Sequence, residues 1–372
     1  MTTQSDTQLQ PKKNFLQRNL MAFIVLAAFI LFPFVISWIT GQPVDTGKPK
    51  FWQGQLIAFF IMAVYTMSYD LLMGYIGILS FGHAAFFGVG AYTMALWLTH
   101  VAPRILAKIR ITLPGGIDIS QTVLFIIAIL LVVIFSVLMG LLFSGASVRV
   151  SKRVYFAMIT LAIAESFHIL SKATDFVKWT GADEGLHGVP VPVWINPTQH
   201  RLRFYFIALA FMVVMFLLLK RATESPTGKI FIAIRENDSR VRMIGYNPAI
   251  YRSIAFSISA VAAGLAGAMF SLWNMSATPS MTSALTTINA LIMTILGGVG
   301  TLTGPILGAG LMQIFSQFFY QWFGPRWPLV FGLIFIAIVI FLPYGIVGTW
   351  RLRKNSLNNA LRKFFKLFSK KK

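Results

Sequence analysis

Four ionisable side chains stand inside or at the edge of long apolar runs: Asp70, His83, Glu165 and His168. A charge at mid-bilayer costs about 3 kcal/mol on insertion scales, so such groups normally face protein or water. Glu165 and His168, at i and i+3, share one helix face. A metal site would need more ligands, and neither H-E-x-x-H nor a second Glu-x-x-His supplies them. Near the outer end of their run they read as an interfacial pair. His83 lies in a glycine-rich run, where its expected role is a hydrogen bond that braces an unwound segment. Asp70 precedes Gly74 and is expected to accept backbone N–H groups of the turn that follows. No phosphate loop of the form G-x-x-x-x-G-K-[ST] occurs; Gly228 and Lys229 are followed by Ile230. The chain therefore does not hydrolyse ATP by itself. Nor is there a nucleophile elbow or a carboxylate pair placed for acid–base work, so a membrane enzyme lacks its converging groups.

The elements that must hold these residues are apolar helices. The 372 residues are 56% hydrophobic and 12% charged, with mean hydropathy +0.72, more apolar surface than a soluble domain of this size can bury. The fold class is thus all-α integral membrane. Without Cys there is neither a disulfide framework nor a Cys-ligated metal site. Ten spans are expected, at about 20–40, 55–73, 83–99, 122–143, 154–170, 204–220, 253–273, 285–300, 305–323 and 328–348. The first is read as a retained helix, because no small-x-small cleavage site follows it. With both termini cytoplasmic, 22 of the 32 Lys and Arg fall on the cytoplasmic side, the bias of a multi-pass membrane protein. That bias and contact with anionic lipid account for the net charge of +21 without nucleic acid. Eight spans with re-entrant pieces keep the same parity. Residues 1–19 form a cytoplasmic segment, 20–350 the transmembrane domain, and 351–372 a basic cytoplasmic tail whose Phe364, Phe365, Leu367 and Phe368 suit a membrane surface.

Residues 220–252 are polar between two apolar runs and carry seven basic residues. Too long for a tight turn, they are expected to hold a short amphipathic helix from about Ile234, capped by Gly245 and stopped near Pro248, exposed to a soluble partner. The outer loop 171–203, rich in Gly and Pro, is either a solvated connector or a docking surface.

Two glycine-rich stretches, 73–90 and 296–305, break the helical pattern. Paired interrupted segments point to a central pathway, and its candidates are Gly74, Gly77, Ser80, Gly82, His83, Gly297, Gly298 and Gly300. Close helix packing through small residues, as in 264–268, is the competing reading. A secondary transporter would need an ion site in the membrane, against which the scarcity of carboxylates argues.

In this order the motifs YDLLMGYIGILSFGHAAFFGVGAY (69–92), TGADEGLHGVP (180–190), IREND (234–238) and LGGVGTLTGP (296–305) resemble the LivM-type permease subunit of branched-chain amino acid ABC importers. The resemblance runs from about Leu56 to Gly348. It implies a second, LivH-type permease, two cytoplasmic ATPases that bind ATP and Mg, and an extracytoplasmic substrate-binding protein. It also implies a non-catalytic subunit without cofactors of its own, whose Arg235, Glu236, Asn237, Asp238 and Gly245 couple to the ATPase. Arg240 and Arg242 depart from the usual importer pattern, and Asp70 replaces a more usual Asn. Related permeases import urea or short amides, and the Gly, Ala and aliphatic lining does not select one solute.

Overall fold

The computed structural model of the chain describes residues 15–108, 120–149, 153–342 and 344–350. The N-terminal residues before Phe15, the middle of the second outer loop and the expected tail at 351–372 lie outside them. The backbone is almost wholly helical, and it divides into two compact units, Met1–Gly54 and Gln55–Lys372.

In the first unit, α1 (Phe15–Thr40) carries Pro33 in its interior. Its side chains Phe23, Val25, Leu31 and Trp38 are exposed, an apolar surface suited to lipid. A turn follows in which Ser37 Oγ donates to the Gln42 carbonyl (2.7 Å), and Gln53 Nε2 returns to the Val44 carbonyl (2.7 Å). The helix α2 (Gly47–Asp70) starts there.

The second unit is built round the rest of α2, which runs into a π-helical turn at Leu71–Ile76, an extended break, and then α3 (His83–Leu96). The short α4 (Ala102–Leu106) ends this run. Next come α5 (Ser120–Arg149) and α6 (Arg153–Lys172), then the short α7 (Val177–Thr180) and the strand β1 (Leu186–His187). Further on lie α8 (Arg201–Glu224), α9 (Pro226–Glu236), α10 (Asp238–Met243), α11 (Pro248–Asn274) and the strand β2 (Ser276–Ala277). The chain closes with α12 (Ala284–Gly297), α13 (Thr303–Phe323) and α14 (Trp327–Phe341).

The core is the mutual packing of α3, α5 and α11. A side chain at Gly90 would strike the Gly264 backbone, and one at Gly267 the Phe87 backbone. Small residues here let two main chains approach, which is how helices associate where lipid removes the hydrophobic drive. The packing reading of 264–268 thus holds.

Helices stand at each of the ten apolar segments, but among the described residues seven stretches are long and apolar enough to cross a membrane, or eight if the bent pair Tyr155–Lys172 and Thr174–Thr180 counts as one. The remaining difference between eight and ten has two causes. At 14 residues α12 reaches only about 21 Å, against a hydrocarbon core of about 30 Å. The last stretch, Thr303–Trp350, counts as one span yet is a helical hairpin. The rings of Phe315 and Phe331 lie 6.3 Å apart, whereas a straight helix would separate them by about 24 Å. The chain reverses at Gly324–Arg326.

On the side opposite the polar connection, β1 pairs antiparallel with β2, Leu186 opposite Ala277 and His187 opposite Ser276. The Gly/Pro-rich loop is therefore tied to the connection between α11 and α12. Glu165 and His168 do not act as a pair: Glu165 is exposed, and His168 Nδ1 lies 3.0 Å from the Pro279 carbonyl and 2.9 Å from Thr282 Oγ1.

Candidate functional site

The polar connection 220–252 folds into two short helices where one was expected. The first begins earlier, at Pro226, because Ser225 caps it: its Oγ accepts from the Gly228 N–H at 3.2 Å, and Pro226 takes the position where no N–H is required. Asn237, in extended conformation (φ −159°), breaks the helix and caps the next one through Oδ1, which accepts from Arg240 N at 3.0 Å. The expected cap at Gly245 is present, at φ +92°. Gly245 N bonds the Arg242 carbonyl (3.0 Å) and Tyr246 N the Val241 carbonyl (3.2 Å), the paired bonds of a Schellman ending.

Charge in this segment is distributed unevenly. Asp238 holds Arg242 (3.1 Å) and Arg252 (3.0 Å), tying α10 to the start of α11. Glu236 is exposed at the end of α9. Arg235 turns the other way: its Nη1 donates to the carbonyl of Gly74. The anchor for this reach is the buried face of α9, where Phe231 and Ile234 are packed away from solvent.

Gly74 lies in the π-helical turn that ends α2, and Gly77 closes it at φ +76°. A side chain at Gly74 would meet Asp70 and the Gly300 backbone, with Gly300 Cα at 2.7 Å. The two glycine-rich stretches thus touch, through Gly74 and Gly300. Asp70 joins them: its Oδ1 accepts from Gly300 N at 2.6 Å and its Oδ2 from Leu302 N at 3.3 Å. Sequence reasoning assigned Asp70 to the N–H groups of the turn after it. Those are spent within the π-helical turn, where Gly77 N and Ile78 N both bond the Leu72 carbonyl. The free donors are in the connection between α12 and α13, which makes no regular ladder.

The remaining pathway candidates separate. Gly77 lies over the Arg235 side chain, Gly297 faces the Gly304 carbonyl, and a Cβ on Gly298 would come 3.1 Å from the Tyr344 carbonyl. Gly82 packs on the Thr160 backbone and Phe143, and Ser80 Oγ accepts from Gly82 N at 3.3 Å. His83 is fully buried among the rings of Tyr65, Tyr69 and Phe86. Its Nε2 lies 2.8 Å from Ser68 Oγ, so it spans the break by linking α3 back to α2.

Several hydroxyls that the sequence did not single out finish the site. Thr287 Oγ1 accepts from Ala84 N (2.8 Å), Thr160 Oγ1 from Phe81 N (3.2 Å), and Ser259 Oγ donates to the Ser68 carbonyl (2.6 Å). Polar residues isolated inside apolar helices were their only signal. Among the described residues no three His, Asp or Glu side chains converge as metal ligands. The arrangement can join a solvent-facing helix pair to a broken membrane helix, but it holds no acid–base constellation.

Comparison with known proteins bears on the whole of this region. A family model described as "Branched-chain amino acid transport system / permease component" matches residues 53–342. The high-affinity branched-chain amino acid transport system permease protein LivM of Salmonella typhimurium is 24% identical, over 89% of this chain and 75% of its own length. The probable branched-chain amino acid transport permease protein LivM of Methanocaldococcus jannaschii is also 24% identical, over 78% of this chain and 92% of its own. The autoinducer 2 import system permease protein LsrC of Photorhabdus laumondii is 27% identical, over 44% of this chain. No solved structure matches the chain.

Proposed function

The chain belongs to the family of branched-chain amino acid transport system permease components, and from that premise we propose that it is the membrane subunit of an ATP-driven importer of branched-chain amino acids. The observation that carries this reading is the match over residues 53–342, which includes both glycine-rich stretches and the polar connection. In this reading the chain sits in a bacterial inner membrane with both termini cytoplasmic, and α12 with the hairpin α13–α14 completes ten crossings. It pairs with a LivH-type permease, two ABC ATPases and an extracytoplasmic binding protein; the ATPases bind the ATP and Mg, and the chain itself is not an enzyme.

The polar connection is the seat for an ATPase. Met243, Ile244, Tyr246 and Ile250 are exposed there beside the basic Arg240 and Arg242, a surface with both apolar area and charge to offer a soluble partner. Closure of the ATPases moves the permease pair between outward-open and inward-open states, and the energy comes from contacts that differ between those states. The solute route runs beside the junction of the two glycine-rich stretches.

Uptake in a strain deleted for this chain tests the reading. Labelled leucine should enter when the chain is restored and fall to background without it, while urea uptake should not change. The likeness to the autoinducer 2 permeases favours one other solute, so autoinducer 2 belongs among the comparators. Leucine uptake indifferent to the chain would overturn the substrate assignment.

A further inference from the structure

Arg235 belongs to the polar connection and is exposed as a residue, yet its guanidinium reaches a backbone carbonyl of the membrane domain. Its side chain runs over Gly77, where a Cβ would meet Arg235 Cγ, and reaches the Gly74 carbonyl. That carbonyl lies in the last turn of α2, where ladder partners run out and where the helix dipole favours a cation. A side chain at Gly300 would come within 3.5 Å of Arg235 Nη1, and Gly300 is itself held by Asp70 at 2.6 Å. Three elements thus meet at one point: the short helix α9, the π-helical turn Leu71–Ile76 and the connection between α12 and α13. The neighbouring acid on α10, Asp238, is engaged by Arg242 and Arg252.

We propose that Arg235 is a positioning residue that clamps α9 to the junction of the two glycine-rich stretches, so that a displacement of α9 is passed into that junction. This assigns it a role directed into the membrane domain, distinct from contact with a soluble partner. The proposal rests on the reading of residues 220–252 as the seat of an ATPase. Gly77 is small because the stem of Arg235 occupies the space beside it, and Gly74 because Asp70 and the Gly300 backbone do. The link joins a short helix whose own face is packed, through Phe231 and Ile234, to a segment of irregular backbone, the kind of element that can be displaced as a unit.

The test uses the full complex, with partner permease, ATPases and binding protein, in proteoliposomes. It compares wild type with Arg235→Gln, Arg235→Lys, Asp70→Asn and the double variant Asp70→Asn/Arg235→Gln. The readouts are the ATPase recovered with the chain and the stimulation of ATP hydrolysis by leucine-loaded binding protein, each per assembled complex. Arg235→Gln should recover ATPase as wild type does and lose stimulation at least about tenfold. Arg235→Lys should restore part of it, since an ammonium keeps the charge but not the fork. The double variant should lose no more than Arg235→Gln alone, the signature of two residues acting through one junction.

Stimulation by Arg235→Gln equal to wild type would overturn the proposal, as would strictly additive losses in the double variant. Loss of recovered ATPase in Arg235→Gln and Arg235→Lys alike would instead place Arg235 in the partner contact, and so also overturn it. Normal stimulation of the wild type without leucine uptake would sink the substrate assignment alone and leave the Arg235 result standing. A wild-type chain that recovers no ATPase would remove both readings together.

Discussion

Asp70 accepts from the amides of Gly300 and Leu302 in the connection between α12 and α13. Replacing it by Ala strands the Gly300 and Leu302 N–H groups in a water-poor interior, at about 1–3 kcal/mol for each unsatisfied group. Asn keeps one acceptor oxygen and presents an NH₂ to the other amide, so it should lose about half as much. Thermal unfolding of the purified chain in detergent should therefore rank wild type above Asp70→Asn and Asp70→Ala last; equal midpoints for all three would show that the carboxylate does not brace the junction. That Asp70 braces backbone was legible from its position beside a glycine-rich break. The identity of its donors was not, because they lie 230 residues away and no local pattern encodes which irregular segment will pack there. The same limit applies to Arg235: as one of seven basic residues in a polar stretch, it carried nothing to mark the one that turns inward.

Among the helices, two kinds of glycine can be separated by experiment. Gly90 packs backbone to backbone against Gly264 on α11, where added volume finds rigid main chain, so Gly90→Leu should reduce the amount of folded chain in the membrane. Gly77 meets only the flexible stem of Arg235. Gly77→Leu should displace that stem and lower transport per assembled complex with a smaller loss of protein, although its positive φ adds strain of about 1–2 kcal/mol. Quantitative immunoblotting beside leucine uptake checks both; identical ratios of transport to protein in the two variants would refute the distinction. Gly245 is exposed with open space around it, so Gly245→Val should act through backbone strain alone. It is expected to abolish stimulated ATP hydrolysis and leave membrane insertion intact, and unchanged stimulation would show that the α10 ending is tolerant. The Gly245 cap was readable in advance because a positive-φ ending has a residue signature. The break at Asn237 had its own signature, an Asx residue before Asp238, but the apolar period running from Ile230 to Ile234 masked it.

At the scale of the molecule, the absence of native Cys makes single-Cys labelling a clean test of orientation. Ser239 and Glu184 are both exposed and lie in connections expected on opposite sides. Cys at Ser239 should react with an impermeant maleimide only in inverted vesicles, and Cys at Glu184 only in intact cells; labelling of both from one side would overturn the assigned topology. The apolar segments were legible because lipid demands long apolar helices whatever their partners. The crossings were harder to count, since a 14-residue helix and a hairpin turned on Gly, Pro and Arg differ from full spans in packing more than in composition. The bond from Asp70 to Gly300 also sets an order on biosynthesis. At about 5–20 residues per second, roughly 10–50 s pass between synthesis of Asp70 and synthesis of its amide partner 230 residues later. Throughout that interval a carboxyl group has entered the insertion site with nothing in its own chain to receive it, and it must borrow water, lipid headgroups or the translocation machinery. Ribosome-stalled chains that stop short of Gly298 should therefore remain crosslinked to that machinery through residues near Asp70, and chains extended past Thr303 should be released.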